Sequence, residues 1–343
     1  MTITPHTPIK PGLSLFEVPP RSADAAATYA TLFENAQRIE QLGFETYWLA
    51  EGHFSDIGSP SALTLLAALT QRTTRLRLGT AVVPLALDNP LRIAETAALV
   101  NTIGEDRVEL GIGKGNPGGF SAAAYHAFGL DEREREDLYV ETLARLRSAF
   151  VHTETAADGT EYGIYPPVGR LPSRIWQATG NVATARAIGA SGDGLQLHRF
   201  VVGGNTGLAQ RPLIEAYLEG LGTSAAPRIG VSRSILPARD AAEAVRLFQK
   251  HLERNPRALP GVARQGSVEE ILHGYSILFG SPEQIAEGLL ADPAVTTSTD
   301  YLFSIPLDYD SEHYRESFVR IAEEIHPHLP VARHGKVGAV AAA

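Results

Sequence analysis

The sequence predicts a single closed (β/α)8 barrel, and three observations carry that prediction. Short apolar strands alternate with longer amphipathic helices in eight successive units, the pattern of a parallel sheet closed on itself. No linker or composition break divides the 343 residues. Chemistry-capable side chains collect where strands end, which is where such barrels build their sites. A doubly wound open sheet is the alternative, and eight unbroken units favour closure.

The elements follow in order. A first strand over residues 12–18 leads to a helix over 23–42, whose apolar face runs through Tyr29, Leu32, Phe33, Ala36, Ile39 and Leu42 and stops at Gly43. A second strand over 45–50 precedes a helix opening at Ser59-Pro60, a cap followed by a first-turn proline, and running to 72. A third strand covers 76–82 with a helix over 90–103, and a fourth covers 107–112 with a helix over 131–150. Residues 151–170 lack periodicity and read as an insertion. Three more units follow: strand 174–178 with helix 182–190, strand 194–197 with helix 208–221, and strand 228–236 with helix 241–254. A second irregular stretch, 255–280, reads as an insertion and a mobile lid. A helix then starts at Ser281-Pro282, an eighth strand covers 299–304, and a last helix covers 311–325. The core is therefore 12–325 of one domain over 1–343, with 335–343 a loose tail.

Hydrophobic residues at 44% and charged ones at 20% describe an ordinary globular protein. Thirty Lys and Arg against 39 Asp and Glu, a charge of −9, leave no electrostatic footprint for nucleic acid or an anionic membrane. Zero cysteines exclude disulfides, thiolate metal sites and thiol catalysis. With no basic-then-apolar leader and no apolar run of spanning length, the expected location is the cytoplasm.

The strand ends carry the candidate chemistry. FETYWLAEGHF (44–54) closes the second strand with Glu51 and His53, and Glu51 is expected to brace neighbouring loops. RLRLGTAVVPL (75–85) ends the third in small residues, Thr80, Ala81 and Val82, over which a flat ligand could approach the backbone. DRVELGIGKG (106–115) ends the fourth in Lys114 between glycines. A formal G-x-G-x-x-G runs from Gly113 to Gly118, but Pro117 interrupts it and no helix opens directly after it, so it is no dinucleotide fingerprint. Arg133 and Arg135 are two apart and face different sides of a helix, so one of them, Arg135, is expected to reach the mouth. Thr179, Gly180 and Asn181 open a helix, with Thr184 one turn in, and free N–H groups at such a start attract anions. His198 and Arg199 end the sixth strand, Arg233 lies near the end of the seventh, and Tyr309 follows the eighth. No G-x-S-x-G elbow or H-E-x-x-H is present.

These strand ends resemble the bacterial luciferase-like flavin monooxygenases. In that family a strand ends in an A-E-H-H-F-like motif, the next reads R-L-G-T with an apolar tail, and the fourth ends G-x-G-x-G. F-G-L-D followed by arginine (128–135) and Gly192-Asp193-Gly194 echo the family as well. The resemblance covers about residues 12–325. It implies reduced, dissociable FMN at the barrel mouth, O2 addition at the flavin C4a as a (hydro)peroxide, and transfer of one oxygen atom to an organic substrate. His53 is the catalytic candidate. Cofactor contacts fall to Thr80, Ala81, Val82, Lys114, Arg135, Thr179, Gly180, Asn181 and Thr184, and substrate contacts to Glu51, His198 and Arg233. A non-proline cis bond is expected near Ala81–Val82. Luciferase ties catalysis to the first of the two histidines. Here Gly52 takes that place, and His53 matches the second, which more often shapes the pocket floor. A separate flavin reductase and a homodimer through the second and third helices are implied too. Two alternatives stay open: an F420-dependent oxidoreductase on the same barrel, and a non-catalytic flavin-binding protein.

Overall fold

In the computed structural model the described residues are 12–329, apart from 21, 23, 56, 57, 116–118, 202, 203, 256–265 and 310. The expected loose tail, 335–343, lies outside them. Eight strands pair in parallel around a ring: β1 (Gly12–Glu17), β2 (Thr46–Leu49), β3 (Arg77–Thr80), β4 (Val108–Gly113), β5 (Ile175–Ala178), β6 (Gly194–Leu197), β7 (Ile229–Pro237) and β8 (Asp300–Ser304). Each pairs with the next, β7 joins β6 to β8, and β8 returns to β1, so the sheet closes as the alternation predicts.

Strand parity divides the core in two. Outward residues such as Leu13, Leu15, Tyr47, Leu78 and Leu110 pack under the helices in one large cluster. Inward, Phe16, Trp48, Ala50, Trp176 and Leu302 form a separate cluster inside the ring. Its centre is two indoles meeting edge to face, with centroids 5.4 Å apart. Each indole lies over a glycine directly across the strand pair, Trp48 over Gly79 and Trp176 over Gly194. A Cβ at Gly79 would stand 2.2 Å from Trp48, and one at Gly194 2.3 Å from Trp176. Below the indoles the barrel is polar. Glu109 accepts the Trp176 indole N–H at 2.7 Å and the Arg77 guanidinium at 2.9 Å, and burial pushes the nearby Asp300 carboxyl up to about 6.

The helices are α1 (Ala25–Gln41), α2 (Ala62–Thr70), α3 (Pro90–Ile103), α4 (Gly119–Ala127), α5 (Arg135–Ala149), α6 (Val182–Ser191), α7 (Thr206–Leu221), α8 (Ala241–Arg254), α9 (Val268–Gly274), α10 (Pro282–Leu290) and α11 (Glu312–Val319). Their starts are chemically marked. Asp24 caps α1, Asn89 caps α3 just before Pro90, and Ser281 with Gln284 forms a capping box ahead of Pro282.

Several expectations need correction. The helix expected from Ser59-Pro60 starts at Ala62 with Ser61 as its cap, because Ser59 still pairs as extended chain with Glu51. The third strand breaks after Thr80 and resumes as Val83–Pro84 against Ile112 and Gly113. The insertion at 151–170 holds a small exposed hairpin, Glu154–Thr155 with Glu161–Tyr162. Of the stretch read as irregular, 256–265 lies outside the described residues. The rest contains α9, started by a Ser267–Glu270 capping box, and Leu278–Gly280, which pairs with the end of β7. The short α4 had no expected counterpart; it opens at Gly119, directly after the Gly113–Gly118 motif, where no helix was expected.

Candidate functional site

A cavity of about 770 Å³ opens at the carboxyl ends of the strands. After β2, Glu51 divides its carboxylate between two neighbours. One oxygen accepts the Ala62 N–H at the start of α2 (2.8 Å), and the other lies 3.2 Å from His53 Nε2. The His53 ring meets Phe128 edge to face at 5.2 Å. Both Glu51 and His53 line the cavity.

After β3, the Ala81–Val82 peptide is cis. These two residues, with Ala178 and Gly113, form a shelf of small side chains on the cavity wall. Close packing explains the glycines opposite. A Cβ at Gly113 would lie 2.7 Å from Val82 Cγ2, and one at Gly111 only 1.8 Å from the Thr80 carbonyl oxygen. Thr80 itself is not on the lining. Its buried hydroxyl accepts from the Gly111 N–H (2.9 Å) and donates to the Gly111 carbonyl (2.6 Å), so its polar group is used up joining β3 to β4.

A cationic sector occupies the β4–β5 side. Lys114 pairs with Glu136, whose other oxygen lies 3.5 Å from Arg135, and all three line the cavity. Arg135 Nε is buried with no partner. Arg133 turns outward, 89% exposed and paired with Asp131, as the two-residue spacing requires. Tyr125 of α4 donates to the Lys114 carbonyl at 2.9 Å and fixes the loop from behind. Next to this sector α6 opens: the Asn181 N–H donates to Thr179 Oγ1 (3.0 Å) and the Asn181 side chain accepts from the Thr184 N–H (3.0 Å). Thr179, Gly180 and Asn181 line the cavity. Thr184 does not, because its hydroxyl turns back to Asn181 within the first turn. Behind the wall Tyr139 donates to Gln177, which donates to Asp193, and Arg147 also holds Asp193, locking α5 to β5.

On β6, Gln196 and His198 point inward by parity and Arg199 leans over the Phe16 ring of β1 at 5.2 Å. Burial, then the adjacent Arg199 charge, holds the His198 imidazole below its usual pKa, and burial lowers Arg199 to about 10.

On β7 it is Ser232 that faces the cavity, and Arg233 faces away. Its guanidinium is buried in the helix layer, bonded to Asp292 (2.8 Å) and Gln210 (2.9 Å), so it is not a substrate contact. Tyr309 is also away from the mouth. With Tyr47, Tyr314 (2.8 Å) and Asn35 (3.1 Å) it donates to the buried Glu17 carboxyl, whose pKa burial pushes up to about 7. Phe16, Gln196, Ser232, Leu302 and Glu136 line the cavity without having been singled out in the sequence. For the first four the alternation of each strand was the available signal.

Residues 12–297 match the family model described as luciferase-like monooxygenase. The chain is 44% identical over 92 residues to the uncharacterized protein y4wF of Sinorhizobium fredii (strain NBRC 101917 / NGR234). That match spans 26% of this chain and 27% of the relative, about a quarter of its length. It is 26% identical over 300 residues, 80% of this chain and 85% of the other, to the F420-dependent glucose-6-phosphate dehydrogenase of Mycolicibacterium gilvum (strain PYR-GCK). Among solved structures it is similar to the oxygenating constituent of 3,6-diketocamphane monooxygenase from Pseudomonas putida, a type II Baeyer-Villiger monooxygenase in complex with FMN. There the TM-score is 0.75 at 18% identity, with 94% of this chain and all of that one covered, a likeness of fold.

Proposed function

The chain belongs to the luciferase-like monooxygenase family, and from that premise we propose that it is an FMN-dependent monooxygenase inserting one atom of O2 into an organic substrate. One observation carries this reading: Ala81, Val82, Gly113 and Ala178 line the same cavity as the cationic Lys114 and Arg135 and the start of α6. That pairing fits a planar ring with a phosphate tail, because a ring needs close backbone approach and a phosphate needs charge and free N–H groups. The buried and partnerless Arg135 Nε is a donor still lacking an acceptor.

Reduced FMN would supply the electrons that activate O2. The chain's own part is to bind, orient and keep water out. Lys114, Arg135, Gly180 and Asn181 would hold the phosphate, and Ala81 and Val82 would support the ring. The apolar walls Phe16, Ala50, Leu87 and Leu302 limit water beside it. His53, oriented through Nε2 by Glu51, would hold or pass a proton where Gly52 offers no side chain. Reduced flavin would come from a separate reductase, and α2 and α3 would form a homodimer interface.

A second reading keeps the barrel and substitutes F420 with hydride transfer. Its support is the likeness to the M. gilvum dehydrogenase over 80% of the chain. The test is thermal stabilisation by FMN against F420, followed by O2 consumption and an oxygenated product when reduced FMN is supplied with a reductase. Stabilisation by F420 alone refutes the FMN reading. FMN binding with no turnover of any organic substrate leaves a flavin-binding protein instead.

A further inference from the structure

Arg199 is the side chain in the cavity whose chemistry the cofactor reading leaves unused. It stands at the end of β6 and reaches across to Phe16 on β1, so it belongs to the β6–β1 side of the rim. Lys114 and Arg135 belong to the β4–β5 side and share Glu136. No carboxylate among the described residues pairs with Arg199. The Phe16 ring offers its face, which attracts a cation without neutralising it. Arg199 is half-buried, and a charge partly withdrawn from water is stabilised when an opposite charge joins it. Burial lowers the guanidinium pKa to about 10, in line with that withdrawal.

One further polar group on this side lacks a partner. Ser232 Oγ is buried, lines the cavity and has no hydrogen-bond partner. Ser232 stands on β7, which lies between β6 and β8 on the way round to β1. His198, held toward its neutral form, adds no competing charge. The sector therefore presents a cation and an unpartnered hydroxyl to a ligand that must bring acceptors and negative charge. A planar carboxylate matches a guanidinium fork.

We propose that Arg199, with Ser232 on the neighbouring strand, anchors the carboxylate of the organic substrate, so that the protein acts on an organic acid. This rests on the reading of the site as a monooxygenase pocket.

The experiment compares acids with their amides. Wild-type protein, with and without saturating FMN, is titrated calorimetrically with octanoate, benzoate, octanamide and benzamide. The expected result is that each acid binds about 10- to 100-fold more tightly than its amide, the range of a charge-assisted bond. Arg199→Gln removes that preference and leaves FMN affinity unchanged. Arg199→Lys restores part of it. Equal binding of acids and amides, or no binding of either acid by wild type, overturns the proposal whether or not a variant folds. So does an Arg199→Gln variant that weakens FMN while acids bind as before. Failure of wild type to bind FMN refutes the cofactor reading alone, because the titration without FMN still tests the anchor.

Discussion

Replacing Glu17 by glutamine should change how stability depends on pH. The Glu17 carboxyl is fully buried, and three tyrosine hydroxyls and the Asn35 amide donate to it. Those donors favour the charged form, but loss of water around the group outweighs them and raises the pKa from 4.5 to about 7. Native protein thus holds a proton that the unfolded chain releases between these values. The stabilisation is complete below about pH 4.5 and is lost as the pH rises through about 7. At 1.36 kcal/mol per pKa unit this is worth about 3 kcal/mol in full, most of it between about pH 5 and about pH 8.5. Glutamine has nearly the same shape and does not titrate. Urea unfolding of both proteins, followed through Trp48 and Trp176, should therefore show wild type losing about 2–3 kcal/mol more than Glu17→Gln across that range. Asp300 and Asp193, also raised by burial, are common to both proteins and cancel in the comparison. A stability difference that stays constant with pH, or moves the other way, refutes the argument.

Three further outcomes follow from the site and its frame. Lys114→Met should weaken FMN about 10- to 100-fold and leave riboflavin, which lacks the phosphate, unaffected, as read by flavin fluorescence titration. Arg233→Met should destabilise by about 1–3 kcal/mol, because Asp292 loses its charged partner while keeping the Ala294 and Val295 N–H groups, with FMN affinity unchanged. Loss of FMN binding at unchanged stability would return Arg233 to the site. Gly79→Ala should cost at least about 1–3 kcal/mol, because its Cβ would overlap Trp48. An unaltered melting temperature would show that the indole moves aside freely.

Much of this architecture was legible in sequence because its signals are local. Strand 194–197 and helices 90–103 and 241–254 coincide with β6, α3 and α8, since each is bounded by a cap, proline or glycine acting within one turn. The cis peptide fell where the family resemblance put it. What was missed depends on contacts distant in sequence. The Ser59 backbone could pass for a helix start until its pairing with Glu51 is seen, and α9 is too short for its periodicity to register. Thr80, Thr184 and Tyr309 all sit beside strand ends, yet each spends its hydroxyl on a neighbour: Gly111, Asn181 and Glu17. Proximity to the mouth was readable; prior commitment of the polar atom was not.

Arg233 shows what fixes the chemistry of the rim. It differs from Ser232 by one position, and one position on a strand reverses the face. The alternation Gly230, Ser232, Ser234 on β7 already marks the inward set, so an arginine between the serines has to leave the barrel. The same parity sends Gln196 and His198 inward from β6. Register in turn rests on the barrel floor. Trp48 can enter only where β3 offers Gly79, and Trp176 only where β6 offers Gly194. A slip of one residue between β2 and β3 would set the indole against Leu78 or Thr80 and turn the Glu51–His53 pair out of step with the Ala81–Val82 shelf. A slip between β5 and β6 would do the same to the start of α6 and Arg199. The two tryptophan–glycine pairs, which touch no proposed ligand, therefore determine which side chains meet at the mouth.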